Sequence, residues 1–185
     1  IEGNWYGTDF SGLTPPWDDN MSYSFHKYWG ETSLATIQSY ISMSNQYDIP
    51  LWMGESGENS NQWYYEVFNL LEENNIGCNF WTHKKVEKIS SPFSAVVTPQ
   101  YQTLIDYWSG NGSQPSSAYA EAALISFANS LKLENCISRP GVLASLTDPD
   151  FGEVSKPYSD HSIPGIIPAA EYDIGAWGLS YTDSD

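Results

Sequence analysis

The sequence predicts an α/β chain wound as a β/α repeat. Three observations carry this. Short strand-like runs at Tyr23–Tyr28, Leu51–Glu55 and Cys78–Trp81 each end in a polar or aromatic group suited to chemistry. Their ends are almost evenly spaced, 27 residues from Tyr28 to Glu55 and 26 from Glu55 to Trp81. An amphipathic helical pattern fills each gap. Parallel strands that alternate with helices and carry chemistry at their carboxyl ends are the layout of a (β/α)8 barrel. A whole barrel takes about 250 residues, and this chain has 185. The expectation is part of a barrel, as an internal fragment of a longer polypeptide.

The elements follow in order. Ile1 to Trp5 reads as the end of a strand, and 6–20 as a loop rich in Gly, Pro and Asp. Residues 22–28 read as the next strand. Residues 33–46 read as helix, with Leu34, Ile37 and Ile41 on one face and Thr32 as N-cap. The strand ending at Glu55 is nearly continuous in apolar residues, which suits a parallel strand covered on both faces. Residues 62–75 are helical, with Tyr64, Val67, Phe68 and Leu71 at i, i+3, i+4 and i+7. Gly77 stops that helix and leads into a strand over 78–82. Residues 84–98 read as a loop. Thr98-Pro99 predicts an N-cap with Pro at the first helical position, followed by a stripe of Tyr101, Leu104, Ile105 and Trp108. A further helix covers about 118–133, with Ala120, Ala123, Leu124, Phe127 and Leu131 aligned. Residues 147–162 read as linker, and a new segment starts near Ile163.

Composition narrows the function. Acids outnumber bases 23 to 7, for a net charge of −16. Phosphate binding needs Lys and Arg, so a nucleic-acid partner is not expected. No run reaches the roughly 18 apolar residues of a membrane helix. Eight Trp and 13 Tyr are many for this length, and a number of them sit near Gly, Asn and Asp. Exposed aromatics over a polar groove suit sugar rings, which offer an apolar C–H face. Trp63, Tyr64 and Trp108 fit core better. Cys78 reads as a free thiol in a buried strand. Two cysteines leave a disulfide with Cys136 open and do not decide the compartment.

Alternation puts His26 and Tyr28 on one side of their strand, Leu51, Met53 and Glu55 on one side of the next, and Asn79, Trp81 and His83 on one side of the third. In a closed barrel these sets converge at the mouth. Hydrogen bonds from His and Tyr to a carboxylate favour its charged form. A Trp on the next strand offers a floor for a sugar ring. Nucleophile, orienting donors and platform make one half of a retaining glycosidase site. The other half is a second carboxyl about 5–5.5 Å away.

Glu2-Gly-Asn-Trp5, His26-Lys-Tyr28, Met53-Gly-Glu-Ser-Gly57 and Phe80-Trp81-Thr-His-Lys-Lys85 occur in order. In this, residues 1–135 resemble the C-terminal half of the barrel in glycoside hydrolase family 5, the cellulase family. The resemblance implies strands five to eight of a (β/α)8 barrel over residues 1–146. It implies a secreted, monomeric, retaining endo-β-1,4-glucanase acting on cellulose or a related β-glucan. Glu55 would be the nucleophile, with His26 and Tyr28 as catalytic neighbours and no cofactor for catalysis. Trp81 would stack under the sugar. Trp5, Trp29, Asn79, His83 and Lys84, with Lys85, would be substrate contacts. The family's acid/base Glu follows an Asn, and no Asn-Glu-Pro occurs here. Glu72, Glu73 and Glu134 fall on predicted helices. On this reading the chain alone does not hydrolyse glycosides.

The tail resembles something else. Ile163-Pro-Gly-Ile-Ile-Pro-Ala-Ala-Glu171-Tyr-Asp and Gly178-Leu-Ser-Tyr181-Thr-Asp-Ser-Asp185 look like the opening strands of a family 6 carbohydrate-binding module, a β-sandwich. The resemblance implies a structural Ca²⁺ held with the help of Glu171. Three other readings stand beside the glucanase. One is a glycan-binding barrel without catalysis. Another is a family 5 enzyme for a different β-glycan, such as mannan or xyloglucan. The third is a metal-dependent hydrolase with His26, Glu55 and His83 as ligands.

Overall fold

The computed structural model describes residues 1–183. The chain is mixed α/β and divides into two compact units. The first is residues 1–82 with the described residues from Pro140 onward, and the second is His83–Arg139.

The first unit is built on a parallel sheet of β1 (Tyr23–His26), β2 (Leu51–Glu55) and β3 (Gly77–Cys78), in chain order. A parallel bridge from Glu2 to Ser24 extends the order on the β1 side. Helix α1 (Gln38–Tyr47) joins β1 to β2, and α2 (Asn61–Glu73) joins β2 to β3. These are the expected β/α units. Tyr23, Phe25, Leu51 and Met53 face a core completed by Ile37 and by Tyr64, Val67 and Leu71 of α2. Phe68 packs at its margin. Ser60 caps α2, accepting the Trp63 N–H at 3.2 Å.

Several expectations need correction. The third strand is two residues long rather than 78–82, and 79–82 form turns. Strand β2 is covered on one face only, because Trp52 is 39% exposed. Helix α1 is preceded by a 3₁₀ turn at Leu34–Thr36, whose N-cap position is Ser33 rather than Thr32 and carries no side-chain cap hydrogen bond. Thr32 instead donates to Glu66 Oε2 at 2.6 Å. Helix α5 (Pro140–Thr147) was not foreseen, although Pro at its first position is a helix-start signal. It packs on α2.

The stretch from Asp148 to Asp183 forms turns and isolated bridges, Lys156 to Ile174 and Trp177 to Tyr181. It packs through Phe151, which is buried and tilted against Tyr65 at 5.2 Å. The Trp177 N–H is donated to Gln62 Oε1 at 2.8 Å. The opening strands expected from Ile163 onward take this turn-rich form. Ser184 and Asp185, at the end of that expected pattern, lie outside the described residues.

The second unit has β4 (Lys84–Val86) and β5 (Phe93–Ala95), which are parallel, and β6 (Ile137–Ser138), antiparallel to β5. The predicted 84–98 loop therefore contains two strands. Helices α3 (Pro99–Trp108) and α4 (Ser117–Ser130) pair through Tyr101 stacked on Phe127 at 3.9 Å. Thr98 caps α3, with Pro99 next, as the sequence predicts. Trp108 is 60% exposed and not core. Among the described residues no helix is long and apolar enough to cross a membrane.

Candidate active site

The carboxyl ends of β1 and β2 meet through an irregular register. Tyr23, Ser24 and Phe25 pair with Leu51, Trp52 and Met53, but His26 pairs with Glu55. Gly54 is the extra residue, so β2 bulges there. Bulges re-aim side chains and gather next to active sites. Here the bulge sets Glu55, not Gly54, opposite His26. A side chain at 54 would force Ser24 to move, since a Cβ there would lie 2.3 Å from Ser24 Oγ.

Just beyond β1, Tyr28 Oη donates to Glu55 Oε2 at 2.7 Å. His26 Nδ1 lies 3.6 Å from the same oxygen. Burial, and then the Glu55 carboxylate, push the Tyr28 phenol far above its usual range. Tyr28 therefore stays a donor. The loop that carries it is tied down at several points. Asn59 Nδ2 donates to Tyr28 O at 2.9 Å, and Trp63 Nε1 to Gly30 O at 2.9 Å. Lys27 Nζ donates to Glu31 O at 2.7 Å and sits over the Trp63 ring. Burial lowers the Lys27 pKa.

Glu55, His26, Lys27 and Tyr28 line a cleft of about 610 Å³ with Trp5, Tyr6, Trp29, Thr36 and Tyr40. Trp5 is 92% exposed and Trp29 is 76% exposed. Aromatic faces left open beside a carboxylate suit a ligand with both C–H faces and hydroxyls. A second cleft, of about 660 Å³, lies at the amino end of β3 between α2 and α5. It holds none of the sequence-predicted site residues.

Glu55, His26, Tyr28, Trp5 and Trp29 thus come together. Trp81 and Asn79 are not among the residues lining that cleft, but their backbone is tied to β2. The Trp81 N–H is donated to Ser56 O at 2.5 Å, and the Asn79 N–H to Met53 O at 2.8 Å. The Trp81–Thr82 peptide is cis. A Cβ on Gly57 would lie 1.7 Å from the Trp81 carbonyl oxygen, so only glycine allows this approach.

His83 and Lys84 belong to the second unit. His83 packs edge-on to Phe93, and Lys84 Nζ donates to Leu131 O. Lys84 is therefore committed to backbone. Glu171 Oε2 accepts from Ser159 Oγ at 3.1 Å and lies 3.2 Å from His161 Nε2. Among the described residues no three His, Cys, Asp or Glu gather as a metal-binding group. Cys78 and Cys136 are free thiols, and burial raises the Cys78 pKa.

Two residues of the site went unassigned in the sequence. Glu2 Oε1 lies 3.0 Å from His26 Nε2. Gly7 backs the imidazole, and its carbonyl accepts the His26 backbone N–H at 2.8 Å. The signal for Glu2 lay in strand order: the parallel neighbour of β1 would bring a residue beside Ser24 and His26. Comparison with protein-family models, with curated proteins and with solved structures found no match for this chain.

Proposed function

We propose that this chain carries the nucleophile half of a retaining β-glycoside hydrolase. The proposed substrate is cellulose or a related β-glucan, cut within the chain. The observation that carries the reading is the Tyr28 hydroxyl on Glu55 Oε2 at 2.7 Å, in a cleft flanked by exposed Trp5 and Trp29. A carboxylate oxygen that accepts a hydrogen bond from a phenol that stays protonated is placed to attack an anomeric carbon. In that step a Glu55 oxygen bonds to C1, the bond from C1 to the leaving oxygen breaks, and the electron pair goes with the leaving group. The open indoles would stack on neighbouring sugar rings.

In this reading the sheet and its two β/α units are the C-terminal half of a (β/α)8 barrel. The parallel order of the Glu2 bridge, β1, β2 and β3 supports it. In this reading a second carboxyl acts as acid/base, and the family's Asn-Glu-Pro pattern for it does not occur in the sequence. Secretion goes with a polymeric substrate. The appended family 6 module from Ile163, with Ca²⁺ near Glu171, rests on sequence resemblance alone.

The test is covalent trapping with a 2-deoxy-2-fluoro-cellobioside bearing a dinitrophenolate leaving group. Such a leaving group departs without an acid. Mass spectrometry should find the added sugar on Glu55 and none after Glu55→Gln. An unlabelled Glu55 under saturating reagent overturns the assignment.

A further inference from the structure

His26 meets two carboxylates, and they are not equivalent. Glu2 Oε1 is 3.0 Å from Nε2, inside hydrogen-bond range. Glu55 Oε2 is 3.6 Å from Nδ1, outside it. The ring has little room to turn. A Cβ on Gly7 would sit 2.6 Å from it, and the His26 side chain is only 14% exposed.

Glu2 is itself placed from several sides. The parallel bridge to Ser24 fixes its backbone, and Ser24 Oγ donates to Oε1 at 3.3 Å. Gly54 leaves the space, since a Cβ there would lie 3.3 Å from that same oxygen. The His26 hydrogen bond is the main cause holding the Glu2 carboxyl below its usual range. The nearby Lys27 Nζ is engaged on Glu31 O.

A neutral imidazole has a single N–H, and the partner of one nitrogen decides which carries it. We infer that Glu2 is a positioning residue: its carboxylate keeps the His26 proton on Nε2 and leaves Nδ1 as an acceptor on the Glu55 side. Tyr28 already donates to Glu55 Oε2, so that oxygen has a donor without Nδ1. Glu2 does not act as the second carboxyl of a retaining pair, because the imidazole ring stands between it and Glu55. An acceptor at Nδ1 suits a ligand hydroxyl beside the nucleophile. That the hydroxyl is a sugar's rests on the glycoside reading above, whereas the position of the proton does not.

The experiment is imidazole NMR on the ¹⁵N-labelled full chain. His26→Gln assigns the signal among the three histidines. At a pH where His26 is neutral, the wild-type chain should show a slowly exchanging ring proton on Nε2. Glu2→Gln should keep it, because the amide oxygen can still accept. Glu2→Ala should speed its solvent exchange by about tenfold, the scale expected when one hydrogen bond to a charged group is lost, with the thermal melt recorded alongside. A proton found on Nδ1 in the wild type overturns the inference without any variant. So does exchange unchanged by Glu2→Ala. Neither result touches the trapping of Glu55, so the two readings fail separately.

Discussion

Tyr28 and Glu55 are joined by a hydrogen bond of 2.7 Å, although 27 residues separate them in the chain. The bond depends on the bulge at Gly54, which sets Glu55 opposite His26. It also depends on Asn59 and Trp63, which hold the Tyr28 loop from the start of the following β/α connection. The contact is therefore a product of the sheet register and of one anchored loop, not of local sequence.

Tyr28→Phe removes the donor and keeps the ring. Loss of one hydrogen bond to a charged group should lower trapping of Glu55 by about tenfold to a hundredfold. The same variant has a signature in alkali. Folding raises the phenol pKa, so the folded state prefers the neutral form. That contribution is complete below the unfolded tyrosine value of about 10. It is lost as pH rises from there toward the folded value. Urea midpoints at about pH 8 and pH 11 should fall more in wild type than in Tyr28→Phe. Tyr23 and Tyr40 are also raised by burial, but they are common to both proteins and cancel in the comparison. Equal falls would mean the phenol is not held neutral by this site.

Gly57→Ala tests the close approach of the Trp81 segment. The new Cβ would sit 1.7 Å from the Trp81 carbonyl oxygen, so the backbone must move. The expected cost is about 1–3 kcal/mol in urea unfolding, the range for overpacking. A loss below about 0.5 kcal/mol, the size of a neutral surface change, would place Trp81 elsewhere.

The strongest periodicities carried over from sequence to structure. The α2 stripe is buried at Tyr64, Val67 and Leu71 as its spacing predicts, with its fourth member Phe68 at the core margin. Strand β2 was legible from its apolar run before a carboxylate. What escaped were elements whose partners lie far off in sequence. Lys84-Lys85-Val86 has no apolar alternation, and only pairing with Phe93–Ala95 makes it a strand. Helix α5 is short, and its Val142 is buried by α2, not by a pattern of its own. At the site, Tyr28 beside Glu55 followed from equal spacing. Glu2 did not, since its role appears only when its strand lies next to β1. Trp108 lies on the α3 stripe but at the last residue of the helix, and there it is 60% exposed.

Trp29→Ala should weaken binding of a soluble cello-oligosaccharide by about fivefold to tenfold, as loss of one aromatic face would. Trp29 is 76% exposed, so the melting temperature should hold. Asn59→Ala should act on the same binding by loosening the loop, and should also cost about 1 kcal/mol of stability through the lost bond to Tyr28 O. Calorimetric titration separates the two. If Trp29→Ala binds as wild type does, the indole is not a platform.

Ser56→Ala is expected to stabilise the chain. Ser56 follows Glu55, is fully buried, and its Oγ meets no hydrogen-bond partner among the described residues. Its carbonyl accepts the Trp81 N–H, and the substitution leaves that bond in place. Removing a buried hydroxyl that pairs with nothing should raise unfolding stability by about 1 kcal/mol. The trapping rate at Glu55 should not change, because the carboxylate keeps Tyr28. A destabilisation of similar size would mean that the hydroxyl has a partner in solution. A slowed trapping reaction at unchanged stability would place that hydroxyl in the chemistry next to the nucleophile, and the buried serine would then belong to the site.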